Sequence, residues 1–271
     1  PQQTGIVACH FNNIIESMEA NQIALLTQPA AIEMVDKILL DQTKGSIEHV
    51  QRRSFLQGDP EAILFVEYYG NTSAELVAKM DQLEADLRER DMGYAFVRAL
   101  DGAEQKSMVE LRKAGLGLLM GMKGDAKPNP GVEDTCVPTD KLPVYIQRVL
   151  DLSEELGLKT EIYGHASVGV LHIRPIFNLK TQKGIDTLRL LEDRMSDMVL
   201  EYGGAMSAEH GDGLARSEWI EKMFGKIIVE AFAQVKRAFD PQGLMNPGKI
   251  VNAPPMDHNL RYGPEYRTAK V

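Results

Sequence analysis

Residues 62–87 read AILFVEYYGNTSAELVAKMDQLEADL. The first eight are mostly aliphatic, β-branched and aromatic, which predicts a strand closed by Gly70-Asn71. Thr72 or Ser73 then caps a helix, because a hydroxyl there accepts an otherwise orphaned backbone N–H. Leu76, Met80, Leu83 and Leu87 fall on one helical stripe, so a single face is meant for a core. A strand running into a one-faced helix is the repeating piece of a sheet covered by helices.

The neighbouring sequence repeats this alternation. Residues 5–11 read as a strand, and 12–20 as the start of a helix capped by Asn12 or Asn13. Residues 29–40 carry Ile32, Val35, Ile38 and Leu39 at helical spacing and are expected to be helical. A short strand follows at 94–98 and a helix at 103–113. Residues 115–138 are rich in glycine and proline without a period, so a long loop is expected there. Beyond it come a helix at 142–156, strands at 160–164 and 169–174, and a helix at 182–202. An extended piece at 205–209, a helix at 220–239 and an irregular tail end the chain. Two α/β halves, about 1–114 and 139–250, flank the loop. The fold class expected is α+β, a duplicated ferredoxin-like α/β sandwich whose antiparallel sheet is covered by helices.

Composition narrows the partners. The 271 residues carry a formal net charge of −9, which does not suit a surface that must neutralise phosphates, so no nucleic acid is expected. A few local arginines and lysines still suffice for a small anion. Two cysteines, Cys9 and Cys136, make no disulfide framework. The apolar runs are too short to span a bilayer, and no signal peptide opens the chain. A cytoplasmic setting, at most peripheral to the inner membrane, is the expectation. Pro1 in place of Met fits a segment of a longer protein. No glycine-rich strand–turn–helix of the dinucleotide type occurs, so a redox cofactor would be held elsewhere.

Two glycine-flanked segments concentrate the chemistry. In the first, Gly164-His165-Ala-Ser-Val-Gly-Val-Leu-His172-Ile-Arg174, a tight turn at Val168-Gly169 would set His165 opposite His172 on one face of a hairpin. The second is Ser207-Ala-Glu209-His210-Gly-Asp-Gly213. On an extended chain, Glu209 turned toward a metal leaves His210 turned away from it. Two histidines and a carboxylate would leave coordination positions open, as catalytic sites do. Two solvated loop imidazoles and an ordinary turn fit the same spacing equally well. Arg112, Arg174 and Arg216 lie near these segments or the loop, and each taken alone suits a surface charge better than an anion anchor. His10, His49 and His258 have no second ligand nearby in sequence, and Met120 and Met122 suit packing. A non-catalytic α+β domain that binds a small anion or a partner protein is the rival interpretation.

At these residues the sequence resembles the C-terminal domain of FAD-linked oxidases, the vanillyl-alcohol-oxidase-like flavoproteins. Gly164 to His172 is similar to that family's GHxxxGxxH segment, and Ser207 to Gly213 to its SxEHGxG segment. Phe239-Asp-Pro-Gln-Gly-Leu-Met-Asn246-Pro-Gly-Lys249 is similar to its closing motif. Lys123 to Pro138 looks closest to large members that add an iron–sulfur region after this domain. The resemblance covers residues 1–250 and leaves 251–271 as an extended tail or linker. It implies that FAD sits in a separate domain of the same native protein, with this domain covering the flavin and holding a small 2-hydroxy acid anion such as D-lactate, D-2-hydroxyglutarate or glycolate. It implies His165, His172 and Glu209 as ligands of a divalent metal, zinc or manganese, with His210 as the catalytic base. Arg112 matches the arginine that binds the substrate carboxylate, and Asn246 and Lys249 match the segment beside the flavin. Two departures touch the substrate. The usual Gly-Asp-Gly-Asn before the second histidine is Ser167-Val-Gly-Val170, and a substrate lysine of some relatives is Val132 here. Lys123 or Lys127 is the expected substitute, with Arg174 beside His172 as a further substrate contact. An iron–sulfur cluster, an electron acceptor and a homo-oligomer belong to the same set of expectations.

Overall fold

The structure is a computed structural model, and it describes residues 3–267. In chain order the main elements are β1 (Gln3–Phe11), α1 (Ile14–Leu26), β2 (Ala31–Asp36), α2 (Lys37–Lys44), α3 (Ile47–Val50), β3 (Ala62–Gly70), α4 (Ser73–Glu89), β4 (Ala95–Ala99) and α5 (Gly102–Met120). They continue as β5 (Lys127–Pro128), α6 (Leu142–Glu155), β6 (Thr160–His165), β7 (Val170–Phe177), α7 (Gln182–Glu201), α8 (Ile220–Phe224) and α9 (Lys226–Phe239). The strands form an antiparallel sheet in the order β4-β1-β3-β2-β6-β7-β5. The expected α+β class is the one found. The chain divides into two compact units: residues 1–122 with 138–148 and 161–171, and residues 123–137 with 149–160 and 172–271.

In the first unit, β1-α1-β2-β3-α4-β4 with strand order 4-1-3-2 is a ferredoxin-like arrangement. Register sets the rows that matter below: Ala8 faces Phe65, Phe65 faces Glu33, and Glu33 faces His165. Cross-strand neighbours share a face, so these four side chains form one row across β1, β3, β2 and β6. Thr72 caps α4 by accepting Glu75 N–H at 3.2 Å, and the Glu75 carboxylate accepts Asn71 N–H at 2.9 Å in return. Leu76, Met80, Leu83 and Leu87 are buried, as their spacing predicts. On the opposite face, Ala8, Ile63 and Phe65 pack with Leu39, Leu40, Met108 and Leu111 from α2 and α5.

Three expectations are corrected here. Residues 29–40 are not a helix; β2 runs to Asp36 and α2 starts at Lys37. The strand buries Ile32, Met34, Val35 and Asp36, and a strand covered on both faces loses the period-two signal. Asp36 makes the switch. Its carboxylate caps α2 through Leu39 N–H at 3.0 Å and accepts Ile162 N–H of β6 at 2.8 Å. The loop expected from residue 115 begins only after Met120, because α5 passes straight through Gly115 and Gly117. A Cβ at Gly115 would collide with the Leu39 side chain, so this glycine lets α5 approach α2 and does not break the helix. The helix expected at 220–239 is divided by Gly225, whose φ of +79° ends α8 before α9 begins.

The second unit holds β5 paired with the end of β7, through Lys127 opposite Phe177 and Pro128 opposite Ile176. α7 buries Ile185, Leu188, Leu191, Met195 and Val199. The stretch expected to be extended at 205–209 has only an isolated bridge, Ala205 with Cys136, and then bends. No helix among the described residues is long and apolar enough to cross a membrane.

Candidate functional site

In the second unit, the bend after Ala205 changes what Glu209 and His210 can reach. Ligand atoms of Asp134, His172, Glu209 and His210 all lie within 4.8 Å of one another. Glu209 and His210 therefore contribute to one group and do not face opposite ways, because the backbone between them is bent, not extended. Asp134, fully buried, is the post around which the bend forms. Its carboxylate accepts Ser207 Oγ–H at 2.8 Å, His210 N–H at 2.9 Å and Glu209 N–H at 3.2 Å. With those donors already on it, Asp134 serves as the anchor of the bend.

His172 is nine-tenths buried, and its Nδ1 lies 3.1 Å from the Glu133 carbonyl oxygen. A carbonyl can only accept, so Nδ1 carries a proton, and in the neutral form of the ring the lone pair is at Nε2. Nε2 lies 3.5 Å from Glu209 Oε1. A lone pair and a carboxylate oxygen facing each other repel unless a proton or a cation lies between them. The same fixing of Nδ1–H by a carbonyl is how proteins orient a metal-binding imidazole. The donor set thus fits a divalent cation. His210 stacks on His172, with ring centres 5.0 Å apart. Its Nδ1 faces Glu133 Oε1 at 3.3 Å and Asp134 Oδ1 at 3.5 Å, and its Nε2 lies 3.4 Å from Glu209 Oε1. Glu133 also pairs with Arg174.

Arg174 and Arg216, more apt from sequence as surface charges, are both buried. The Arg216 guanidinium donates to the carbonyls of Pro130 and Gly131 at 3.0 Å each and of Gly211 at 2.6 Å. It thereby ties the 130–134 segment to the turn that carries Glu209 and His210. Lys123 is exposed and Lys127 lies in β5. Asn246 has φ of +46° in an exposed turn, where Lys249 Nζ donates to the Pro247 carbonyl.

In the first unit, His165 and Arg112 meet on a residue that the motifs do not include. Glu33 Oε2 lies 2.5 Å from Arg112 Nη2, and Glu33 Oε1 lies 2.9 Å from His165 Nδ1. Glu33 and Arg112 also line a pocket of about 230 Å³ with Glu67 and Lys113 over Ile6, Phe65 and Met108. The turn after His165 is a 3₁₀ turn, Ala166–Val168, followed by left-handed Gly169, and so is longer than a two-residue hairpin turn. The facing of His165 and His172 argued from a two-residue turn does not follow from this one. His10, given no role from sequence, is a satisfied core histidine: Nδ1 lies 3.0 Å from the Ala8 carbonyl oxygen and Nε2 accepts Gln57 N–H.

One buried acid below the site has a measurable signature. Glu192 is fully buried with no hydrogen-bond partner on either oxygen, against Gly131. Burial pushes its carboxyl up to about 8, opposed by the Arg216 charge. Between the ordinary carboxylate range and that value the folded chain holds a proton that the unfolded chain has lost. The group's favourable contribution is therefore complete at low pH and is lost as pH rises through the folded value. Glu192→Gln should denature like wild type near pH 4 and at progressively higher temperature than wild type toward pH 8.5, which thermal melts across that range will read.

Residues 1–250 match the family model described as FAD linked oxidases, C-terminal domain. The chain belongs to this family. A D-2-hydroxyglutarate dehydrogenase of Pseudomonas putida is 32% identical over 260 residues, which cover 92% of this chain and 25% of that protein. A D-lactate dehydrogenase of Archaeoglobus fulgidus is 29% identical over 91% of this chain and 51% of its own length. The chain thus spans a quarter to a half of these relatives. The domain also shares its fold with 4-ethylphenol oxidase from Gulosibacter chungangensis, at a TM-score of 0.65 and 15% identity, covering 94% of this chain and 55% of that one.

Proposed function

We propose that this FAD-linked oxidase domain is the substrate side of an FAD-dependent dehydrogenase that oxidises a D-2-hydroxy acid to the 2-oxo acid. The observation that supports it most is the His172–Glu209 pair, with Nε2 presented to a carboxylate oxygen and Nδ1 fixed by a backbone carbonyl. The relatives named for D-2-hydroxyglutarate and D-lactate supply the substrate class. His172 and Glu209 would hold a divalent cation, zinc or manganese, and the resemblance adds His165. When bound, such a cation supplies Lewis acidity at the hydroxyl and carboxylate, and FAD, held mainly outside this chain, supplies the hydride acceptor.

This chain's own residues bind the anion and move the proton. Arg112 is assigned the substrate carboxylate, through a charge-assisted contact that Glu33 leaves room for on the other guanidinium nitrogens. His210 takes the hydroxyl proton at Nε2. The imidazolium that forms is stabilised at Nδ1 by Glu133 and Asp134, while Arg174 balances the charge of Glu133. Arg174 acts through Glu133 here and not through direct substrate contact. Lys123 and Lys127 keep the role of supplementary anion contacts, and Asn246 and Lys249 that of the edge toward the flavin.

The test is turnover of paired D- and L-2-hydroxy acids by the flavin-loaded enzyme that carries this chain. Oxidation of the D forms with stoichiometric 2-oxo acid is expected, and absence of turnover with any 2-hydroxy acid would overturn the assignment. Arg112→Ala should raise KM by roughly 10–100-fold, the worth of one charge-assisted hydrogen bond. Steady-state kinetics with an unchanged KM would remove Arg112 from the substrate contacts.

A further inference from the structure

We propose that Glu33 is a positioning residue that fixes the tautomer of His165 and keeps Arg112 from claiming the same ring nitrogen; the metal-binding part of this rests on the proposed cation site. The geometry is a competition for one atom. His165 Nδ1 lies 2.9 and 3.0 Å from the two oxygens of Glu33, and 3.2 Å from Arg112 Nη2. A carboxylate can only accept and a guanidinium can only donate, so Nδ1 cannot serve both. Bonded to Glu33, Nδ1 carries the proton and the lone pair of the neutral ring is on Nε2. Bonded to Arg112, Nδ1 carries the lone pair and Nε2 carries the proton, which bars Nε2 from binding a metal.

Position decides the competition. Glu33 is the direct cross-strand neighbour of His165 in the β2–β6 register, so backbone pairing delivers its carboxylate to the ring. The same carboxylate lies 2.5 Å from Arg112 Nη2, closer than the imidazole nitrogen does, and so draws that guanidinium N–H to itself. Arg112, Glu33 and His165 are each four-fifths to about three-quarters buried, so water does not readily replace either bond. One carboxylate thereby orients the residue assigned to the substrate and the residue assigned to the cation. An outer carboxylate on a metal-binding histidine is typically worth 10–100-fold in metal affinity.

Glu33→Gln exposes the competition. In that variant the side-chain amide oxygen is taken by Arg112, the amide NH₂ then faces Nδ1, and the ring must switch its proton to Nε2. In Glu33→Gln with Arg112→Ala, no guanidinium competes and the amide oxygen can accept Nδ1–H again. Histidine ¹⁵N shifts of His165, measured on this chain without metal at pH 8, should report Nδ1–H in wild type, Nε2–H in Glu33→Gln and Nδ1–H in the double variant. Mn²⁺ affinity should fall 10–100-fold in Glu33→Gln and recover at least tenfold of that in the double variant. An unchanged tautomer in Glu33→Gln, or a switch that persists without Arg112, overturns the proposal. The predicted tautomer changes in a chain that binds no Mn²⁺ at all would uphold Glu33's role and overturn the cation site instead.

Discussion

Replacing His172 by alanine should leave a folded chain that no longer retains a divalent cation, and a flavin-loaded enzyme with turnover at background. Nδ1–H is committed to the Glu133 carbonyl, so Nε2 is the only lone pair the ring presents, and it is aimed at Glu209. Alanine removes that donor atom and leaves Glu209 facing only the His210 imidazole of the two in the group. The loss in metal affinity should exceed the roughly 10–100-fold typical of losing an outer partner. The fold should survive: the Glu133 carbonyl loses its donor, at a cost of about 1–3 kcal/mol, and the stacking on His210 is lost with it. Elemental analysis after gel filtration, with a thermal melt on the same sample, separates loss of metal from loss of fold. Wild-type metal content in folded His172→Ala would contradict the assignment.

The second large effect belongs to His210. His210→Ala should lower kcat by roughly 10²–10⁴-fold, the usual worth of a positioned general base, while metal content stays near that of wild type. Its Nδ1 is held between Glu133 and Asp134, and Nε2, which lies 3.4 Å from Glu209 Oε1, is the atom assigned to exchange a proton with substrate. His210 is two-fifths exposed, so its loss opens no buried cavity. A pre-steady-state measurement of flavin reduction isolates the step. An unchanged reduction rate would assign the proton to another group. Loss of metal in this variant would make His210 a ligand and not the base.

Much of the fold can be read where a residue's burial follows one simple period. The β3–α4 pair was legible because Leu76, Met80, Leu83 and Leu87 meet the core on one side only. β2 was not, because its burial on both faces removes the alternation that marks a strand, and Ile32 and Val35 then fall by chance at helical spacing. Gly115 misled for a related reason: a glycine that admits a neighbouring helix looks, in sequence, like one that ends its own. In the site, the histidines and Glu209 stood out by their glycine-flanked motifs, but the carboxylates that orient them did not. Glu33 reaches His165 through strand register, and Asp134 reaches Glu209 and His210 from a segment some seventy-five residues away in sequence. The one available signal was two adjacent acids, Glu133-Asp134, in the otherwise uncharged stretch 128–138. Arg216 gave no signal, since its partners are backbone carbonyls and any sequence supplies those.

The proposed chemistry requires a divalent cation ligated by an imidazole nitrogen and a carboxylate of this domain. Pulsed electron paramagnetic resonance of the chain with one equivalent of Mn²⁺ addresses it most directly, because a directly bound imidazole imprints a ¹⁴N coupling on the ion. A ¹⁴N modulation that is present in wild type and changed in His172→Ala is the predicted result. Mn²⁺ surrounded only by water, with the same spectrum in wild type and variant, would contradict it.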